Sequence, residues 1–83
     1  MLYYLFVLKA QNESEGDKDM LISIKAARVN AGLTQTEVAK IIGKSKNTIA
    51  SYESYATMPD IQTAKAMANL FNVSVDDIIW AQE

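Results

Sequence analysis

Short segments that each begin with a helix-capping residue follow one another from residue 23 to near the end of the chain. Ser, Thr or Asp before a helix accepts a hydrogen bond from a backbone N–H of the first turn. The capping residues are Ser23, Thr34, Ser45, Asp60 and Ser74. The helices that follow them are IKAARVNA, QTEVAKII, KNTIASYES, IQTAKAMANLF and VDDIIW. The sequence therefore predicts an all-α domain of five short helices over residues 20–83.

The spacing of Ala39, Gly43 and Ile49 predicts how the second and third helices meet. Two helices that cross after a tight turn need a small residue at the contact, which Ala39 supplies. The turn itself needs a residue free of the restriction that a Cβ imposes, which Gly43 supplies. Ile49 then enters the core from the following helix. Together these positions are typical of a helix-turn-helix.

Apolar residues recur at helical intervals and can form one small core. Those of the fourth helix are Ile61, Ala64, Met67, Ala68 and Phe71. Those of the other segments are Leu33, Val38, Ala39, Ile42, Ile49, Tyr52, Val73, Val75, Ile78 and Ile79. Because this core accounts for most of the apolar residues, no ligand cavity is expected.

Residues 1–19 differ in character from the rest of the chain. They begin with the apolar run MLYYLFVL and continue with an acidic stretch. The run is shorter than the roughly 20 residues that span a bilayer, and its composition favours a β-strand. Such a strand arm would pair with a second subunit or with the domain's own edge. The alternative is that Met20 is the natural start and that residues 1–19 are a start-site artefact.

The amino-acid composition argues against several classes of function. The 83 residues contain no cysteine and no histidine, which argues against disulfides, zinc sites, thiol nucleophiles and the commonest general base. A cytoplasmic protein that is not an enzyme and holds no cofactor or metal is expected. The net charge of −2 is unusual for a protein that binds nucleic acid. However, Lys40, Lys44 and Lys46 lie close together, and local charge decides such binding.

The stretch LTQTEVAKIIGKSKNTIASYE resembles the helix-turn-helix of phage repressor and Cro-like regulators, the XRE family. The likeness runs from Ile22 to Trp80 and includes MPD and NVSVDDI in order. It implies a lambda-repressor-like fold whose third helix enters the major groove of double-stranded DNA. It also implies a sequence-specific transcriptional regulator of phage, prophage or mobile-element origin.

The resemblance assigns roles to individual residues. It implies base contacts by Lys46, Asn47 and Ser51, and an ion pair between Arg28 and Glu53. The base contacts agree with side-chain chemistry, since lysine can donate to guanine, asparagine pairs with adenine, and serine can contact either base.

Contacts to the DNA backbone are expected around the same helices. The resemblance gives this role to Gln35, while free N–H groups at helix starts and nearby lysines favour phosphate. The family usually has glycine and then a basic residue after Glu53, whereas this chain has Tyr55, Ala56 and Thr57. The Tyr55 hydroxyl is expected to replace that contact. The expected backbone contacts are Thr34, Gln35, Lys40, Lys44, Ser45 and Tyr55.

The C-terminal residues Ile78, Ile79 and Trp80 have two readings. They either cap the small core or form the contact of a homodimer on a near-palindromic operator. A different class of function also stays open, because the SYATMPD loop carries no positive charge. In that alternative the chain is a protein-interaction module that keeps the fold and binds DNA weakly or not at all. No membrane partner is expected.

Overall fold

The computed structural model describes residues 21–82, most of which lie in four α-helices. The helices are α1 (Ile24–Asn30), α2 (Gln35–Ile42), α3 (Lys46–Glu53) and α4 (Ile61–Phe71). Two short strands, β1 (Ile22–Ser23) and β2 (Ile78–Ile79), lie at the ends of this region. The prediction of a mainly helical helix-turn-helix fold is confirmed. The leader of residues 1–19, with its expected strand arm, lies outside the described residues.

The prediction of a fifth helix was wrong. Its first half is a single 3-10 turn, Val75–Asp77, and its second half is β2. Ile78 and Ile79 are β-branched, which favours extended backbone. They pair in parallel with β1 in the register Ile22–Ile78 and Ser23–Ile79. This pairing supplies hydrogen bonds between strands that a short, isolated last helix would lack.

The caps that begin the helices are the ones expected from the sequence. Ser23, Thr34, Ser45 and Asp60 each accept a hydrogen bond from a backbone N–H in the first turn of the helix that follows. α2 ends at Gly43, whose φ of 76° is left-handed. The ends of α1 and α3 each fall one residue before the predicted one. Local capping chemistry therefore sets the element boundaries almost by itself.

One core joins all four helices. Its largest fully buried side chains are Ile24, Val38, Ile49 and Met67. Ile61 was expected in this core, and that prediction was wrong because its side chain is 64% exposed. Ile61 is the first residue of α4 and stands at the edge of the helix's buried stripe, which Ala64, Met67, Ala68 and Phe71 form.

The turn between α2 and α3 decides which part of α3 faces outward. Ala39 is buried at the contact, and its carbonyl accepts a hydrogen bond of 2.8 Å from the Lys44 N–H just after Gly43. Ile49 is completely buried on the other side of the turn. Since α3 is anchored along one side by this packing, its opposite side is left to solvent.

Candidate nucleic-acid interface

The recognition face, as we call the outward side of α3, is polar and made of short side chains. The buried side of the helix carries Ile49 and Tyr52. Residues three and four positions apart share a helix face, so Asn47, Ser51 and Ser54 lie together on the other side. Asn47 is exposed and Ser51 is half-buried. The face therefore offers amide and hydroxyl groups with little bulk around them.

Ala50 belongs to the recognition face but was not among the residues singled out from the sequence. It lies three residues after Asn47 and four before Ser54, and it is half-buried. A methyl group on such a face can contact the methyl of thymine. The signal that could have found it is the helical spacing itself, since the sequence analysis considered only polar side chains there.

The start of α3 carries a positive charge where the helix would prefer a negative one. Ser45 caps the helix by accepting from the Thr48 N–H at 3.1 Å. The first helical residue is the exposed Lys46, and the first turn contains no acidic residue. Because the N-terminal end of a helix is the positive end of its dipole, a lysine here does not stabilise the helix. The arrangement is instead suited to an anion outside the protein.

The start of α2 is a complete capping box. The Glu37 N–H donates to Thr34 Oγ1 at 3.1 Å, and the Thr34 N–H donates to Glu37 Oε1 at 2.8 Å. Thr34 Oγ1 acts as an acceptor in this box, so its own hydrogen is free to be donated outward. The box holds the first residue of α2, Gln35, in a fixed place.

A buried network links Gln35 to α1 and α3. Arg28 Nε donates to Glu53 Oε2 at 2.5 Å, Nη2 donates to Glu53 Oε1 at 3.3 Å, and Nη1 donates to the Leu33 carbonyl at 2.7 Å. The side chains of Arg28 and Glu53 are 10% and 5% exposed. Glu53 Oε1 also accepts from Gln35 Nε2 at 2.9 Å. The sequence predicted the Arg28–Glu53 pair but not the hydrogen bond from Gln35 to Glu53. The Gln35 amide nitrogen keeps a second hydrogen that it can donate outward.

Lys40 and Lys44 are exposed near the turn between α2 and α3. Lys44 lies close enough to Asp60 to affect that carboxylate. Hydrogen bonds from Thr63, through its side chain and its backbone N–H, lower the pKa of Asp60 below its usual 3.8, and the charge of Lys44 lowers it further. Together with Lys46, the two lysines form a local positive area beside the recognition face.

The Tyr55 hydroxyl makes its hydrogen bond within the protein. It donates to the Ile79 carbonyl at 3.0 Å. Phosphate oxygens can only accept hydrogen bonds, and the single hydroxyl hydrogen of Tyr55 is already used inside the protein. The expected contact would have to break this bond, so we leave Tyr55 out of the DNA-facing set.

The three C-terminal residues of interest differ in exposure. Ile78 is 4% exposed and belongs to the core of the chain itself. Ile79 and Trp80 are half-buried. The Trp80 Nε1–H donates to the Val75 carbonyl at 2.9 Å, which fixes the indole against the 3-10 turn. Ile79 and Trp80 therefore keep some exposed surface, whereas Ile78 does not.

A separate open groove of about 520 Å³ lies between α2 and α4. It is lined by Ile41, Ile42, Gln62, Thr63, Ala66, Asn69 and Leu70. None of these side chains carries a charge, so the groove is a poor match for phosphate. Within residues 21–82, no group of three carboxylate, cysteine or histidine side chains is placed to hold a metal ion. No helix in that part of the chain is both long and apolar enough to cross a membrane.

Comparison with known proteins gives relatives that include several helix-turn-helix transcriptional regulators and one protein described as an antitoxin. The HTH-type transcriptional regulator ImmR of Bacillus subtilis is 37% identical over 60 residues, which cover 72% of this chain and 47% of ImmR. The cryptic phage CTXphi transcriptional repressor RstR of Vibrio cholerae is 34% identical over 60 residues, covering 72% of this chain and 54% of RstR. The chain thus matches about half the length of these two proteins.

A third relative is matched almost throughout. It is an uncharacterised HTH-type transcriptional regulator of Archaeoglobus fulgidus, 34% identical over 64 residues, which cover 77% of this chain and 90% of that protein. No solved structure is matched by the chain. The helix-turn-helix family HTH_3 matches residues 24–78, from the first residue of α1 to the first residue of β2. The resemblance seen in the sequence is confirmed, and the chain belongs to this helix-turn-helix family.

Proposed function

We propose that the chain is a sequence-specific DNA-binding transcriptional regulator and that α3 is its recognition helix. The observation that carries the proposal is the division of α3 into two sides. Its inward side is fixed by the core and by the buried Arg28–Glu53 pair. Its outward side has short polar groups that no packing requires. Such a helix is stably held while its outer face stays available for base edges.

Base reading is assigned to Lys46, Asn47 and Ser51, with Ala50 between them. Asparagine can make two hydrogen bonds to adenine, and lysine can donate to guanine O6 and N7. The short side chains of Ala50 and Ser51 let the helix approach the bases closely. The side chains of Ala50 and Ser51 discriminate less well between bases than the amide of Asn47 does. Asn47 is therefore the most informative residue of the recognition face.

Phosphate contacts are assigned to groups around this face. Lys40 and Lys44 supply charge, and the hydroxyls of Thr34 and Ser45 lie at helix starts, where free N–H groups favour anions. Gln35 is held by Glu53 with one amide hydrogen directed elsewhere, which suits it to fix the protein on the DNA backbone. These contacts position the protein and do not read sequence.

The proposed assembly is a homodimer on a near-palindromic operator, with half-sites about one helical turn apart. Ile79 and Trp80 are the proposed dimer contacts. The protein would act by occupying DNA in the cytoplasm, without catalysis. The phage repressor RstR among its relatives supports a repressing role.

Selection from a pool of random duplexes, first at low and then at physiological salt, tests the proposal. We expect an enriched inverted repeat that persists at the higher salt concentration. Binding that disappears with salt, or the absence of any enriched sequence, would contradict sequence-specific recognition. In that case the uncharged groove between α2 and α4 would become the surface to test for a protein partner.

Asn47→Ala gives the sharpest test at a single position. Loss of a two-hydrogen-bond contact should relax base preference at one operator position by about 1–3 kcal/mol. Lys65→Ala is the control, since Lys65 is exposed on α4 away from the recognition face. Both variants are compared by repeating the duplex selection. Unchanged base preference in the Asn47 variant would remove this residue from the reading set.

A further inference from the structure

Tyr55 holds a left-handed backbone conformation just past the end of α3. Its φ is 64°, which costs free energy for a residue with a Cβ. The Ala56 N–H (2.9 Å) and the Thr57 N–H (3.3 Å) both donate to the Ser51 carbonyl, a pattern that closes a helix through a left-handed residue. Glycine would form the same turn without the cost. The turn alone therefore does not explain a tyrosine at this position.

The side chain of Tyr55 connects the turn to the far end of the described chain. Its hydroxyl donates to the Ile79 carbonyl across 24 residues of sequence, and its ring packs against the core. Ile79 is paired with Ser23 in the sheet. The next residue, Trp80, is fixed by its bond to the Val75 carbonyl. The hydroxyl thus joins the end of α3 to a strand that is itself well anchored.

We propose that Tyr55 is a positioning residue that couples β2 to the end of the recognition helix. Two sets of hydrogen bonds make this connection. The Tyr55 hydroxyl donates to the Ile79 carbonyl, and the N–H groups of the two residues after Tyr55 donate to the Ser51 carbonyl. Ser51 is one of the proposed base contacts, so the inference rests on the proposed function. A change at Ile79 or Trp80, such as contact with a second copy, reaches the recognition face through this hydrogen bond.

The simpler account, in which Tyr55 only closes the helix, makes a different prediction. If closure were its whole role, Tyr55→Gly would bind DNA at least as well as the wild type, because glycine adopts the left-handed region freely. Under the coupling, Tyr55→Gly keeps the turn but loses the bond to Ile79. We expect it to stay folded and to bind the selected operator about threefold to tenfold more weakly. Wild-type affinity in this variant would overturn the proposal.

A double-mutant cycle tests the coupling itself. Tyr55→Phe removes the hydroxyl, and Trp80→Phe removes the bond to Val75 that steadies the segment after β2. Each single change should weaken operator binding about threefold to tenfold, and the double variant should bind no more weakly than Tyr55→Phe alone. Losses that multiply would show two independent effects and overturn the coupling. Lys65→Gln is the control and should leave operator binding unchanged, since Lys65 is exposed on α4.

Amide chemical shifts give a second readout that needs no DNA. Trp80→Phe should shift the amide signals of Ser51, Ala56 and Thr57 in the wild-type background and leave them in place in the Tyr55→Phe background. Equal shifts in both backgrounds would overturn the proposal. If the wild type selects no duplex, the proposed function fails, while these shifts still decide whether Tyr55 couples the two elements.

Discussion

Glu53 accepts hydrogen bonds from two other helices and ends a third. One oxygen binds Arg28 of α1, and the other is shared by Arg28 and Gln35 of α2. The third nitrogen of the Arg28 guanidinium, Nη1, donates to the Leu33 carbonyl in the turn before α2. A buried ion pair of this kind stabilises little more than apolar residues would, but losing one partner leaves the other charge buried alone. The pair is therefore a strong constraint on sequence at both positions.

Glu53→Gln should destabilise the domain by about 3–5 kcal/mol, because it leaves the Arg28 charge buried without compensation. The measurement is urea unfolding followed by circular dichroism. Asp77→Asn is the matched control, since it removes an exposed carboxylate and should change stability by less than about 0.5 kcal/mol. Equal effects of the two changes would contradict the structural role of the pair.

At the scale of elements, the residue that caps α3, Ser45, bears on both the stability of the helix and the proposed binding of phosphate. Ser45 accepts the Thr48 N–H and also exchanges a hydrogen bond of 2.9 Å with the Thr48 hydroxyl. An aspartate at this position could cap the helix as well as serine does and would complement the helix dipole. The same negative charge would stand where a phosphate is proposed to lie. One substitution can therefore affect the two properties in opposite directions.

Ser45→Asp should leave the free energy of unfolding within about 0.5 kcal/mol of the wild type or raise it. Binding to the selected operator should weaken by about tenfold or more through repulsion. Thermal unfolding and binding titrations measure the two effects. Ser74→Asp, at the cap before the 3-10 turn, is the control and should leave operator binding unchanged. Undiminished binding by Ser45→Asp would place the phosphates elsewhere.

The capping role of Asp60, at the start of α4, can be tested by measuring stability at acid pH. Hydrogen bonding by Thr63 and the charge of Lys44 lower the pKa of Asp60 in the folded state below 3.8. Its carboxylate therefore stabilises the fold above that pH, and the contribution is lost as pH falls through the lowered pKa. The stability difference between wild type and Asp60→Asn should shrink from about pH 5 to about pH 2. A difference that stays constant over this range would contradict the capping role of the carboxylate.

The sequence predicted the elements whose signals are local. Capping residues gave the start of every α-helix, and Gly43 gave the end of α2, because these depend on neighbours three or four residues away. β2 was missed because its partner, β1, lies more than 50 residues earlier in the chain. The bond between Tyr55 and Ile79 was missed for the same reason. At the site, Gln35 was named correctly as a helix start, but its bond to Glu53 requires the packing of three helices.

At the scale of the whole molecule, a net charge of −2 does not contradict the proposed DNA binding. Lys40, Lys44 and Lys46 all lie in or beside the turn between α2 and α3. Four of the ten acidic residues lie among residues 1–19, outside the helix-turn-helix. Three lysines therefore lie next to the proposed interface although the total charge is negative, and nearby charges act on a phosphate more strongly than distant ones.

Salt dependence measures how many phosphates this area contacts. With two phosphate-contacting lysines, Lys40 and Lys44, in each of two subunits, the logarithm of the operator binding constant should fall with the logarithm of salt concentration with a slope of about −4. Lys44→Gln should reduce the size of this slope by about 2 for a dimer. Lys65→Gln removes an equal charge from α4 and should leave the slope unchanged. Equal slopes for all three proteins would remove Lys44 from the interface.

The two sides of α3 also bear on how such a protein can change its target over evolutionary time. The side chains of Asn47, Ala50 and Ser51 face outward. The side chains that fix α3 on the domain are instead those of Ile49, Tyr52 and Glu53. New operators can therefore be acquired by exchanging a few outward residues while the scaffold is inherited intact. A graft of these positions from another helix-turn-helix protein should accordingly carry that protein's target with it.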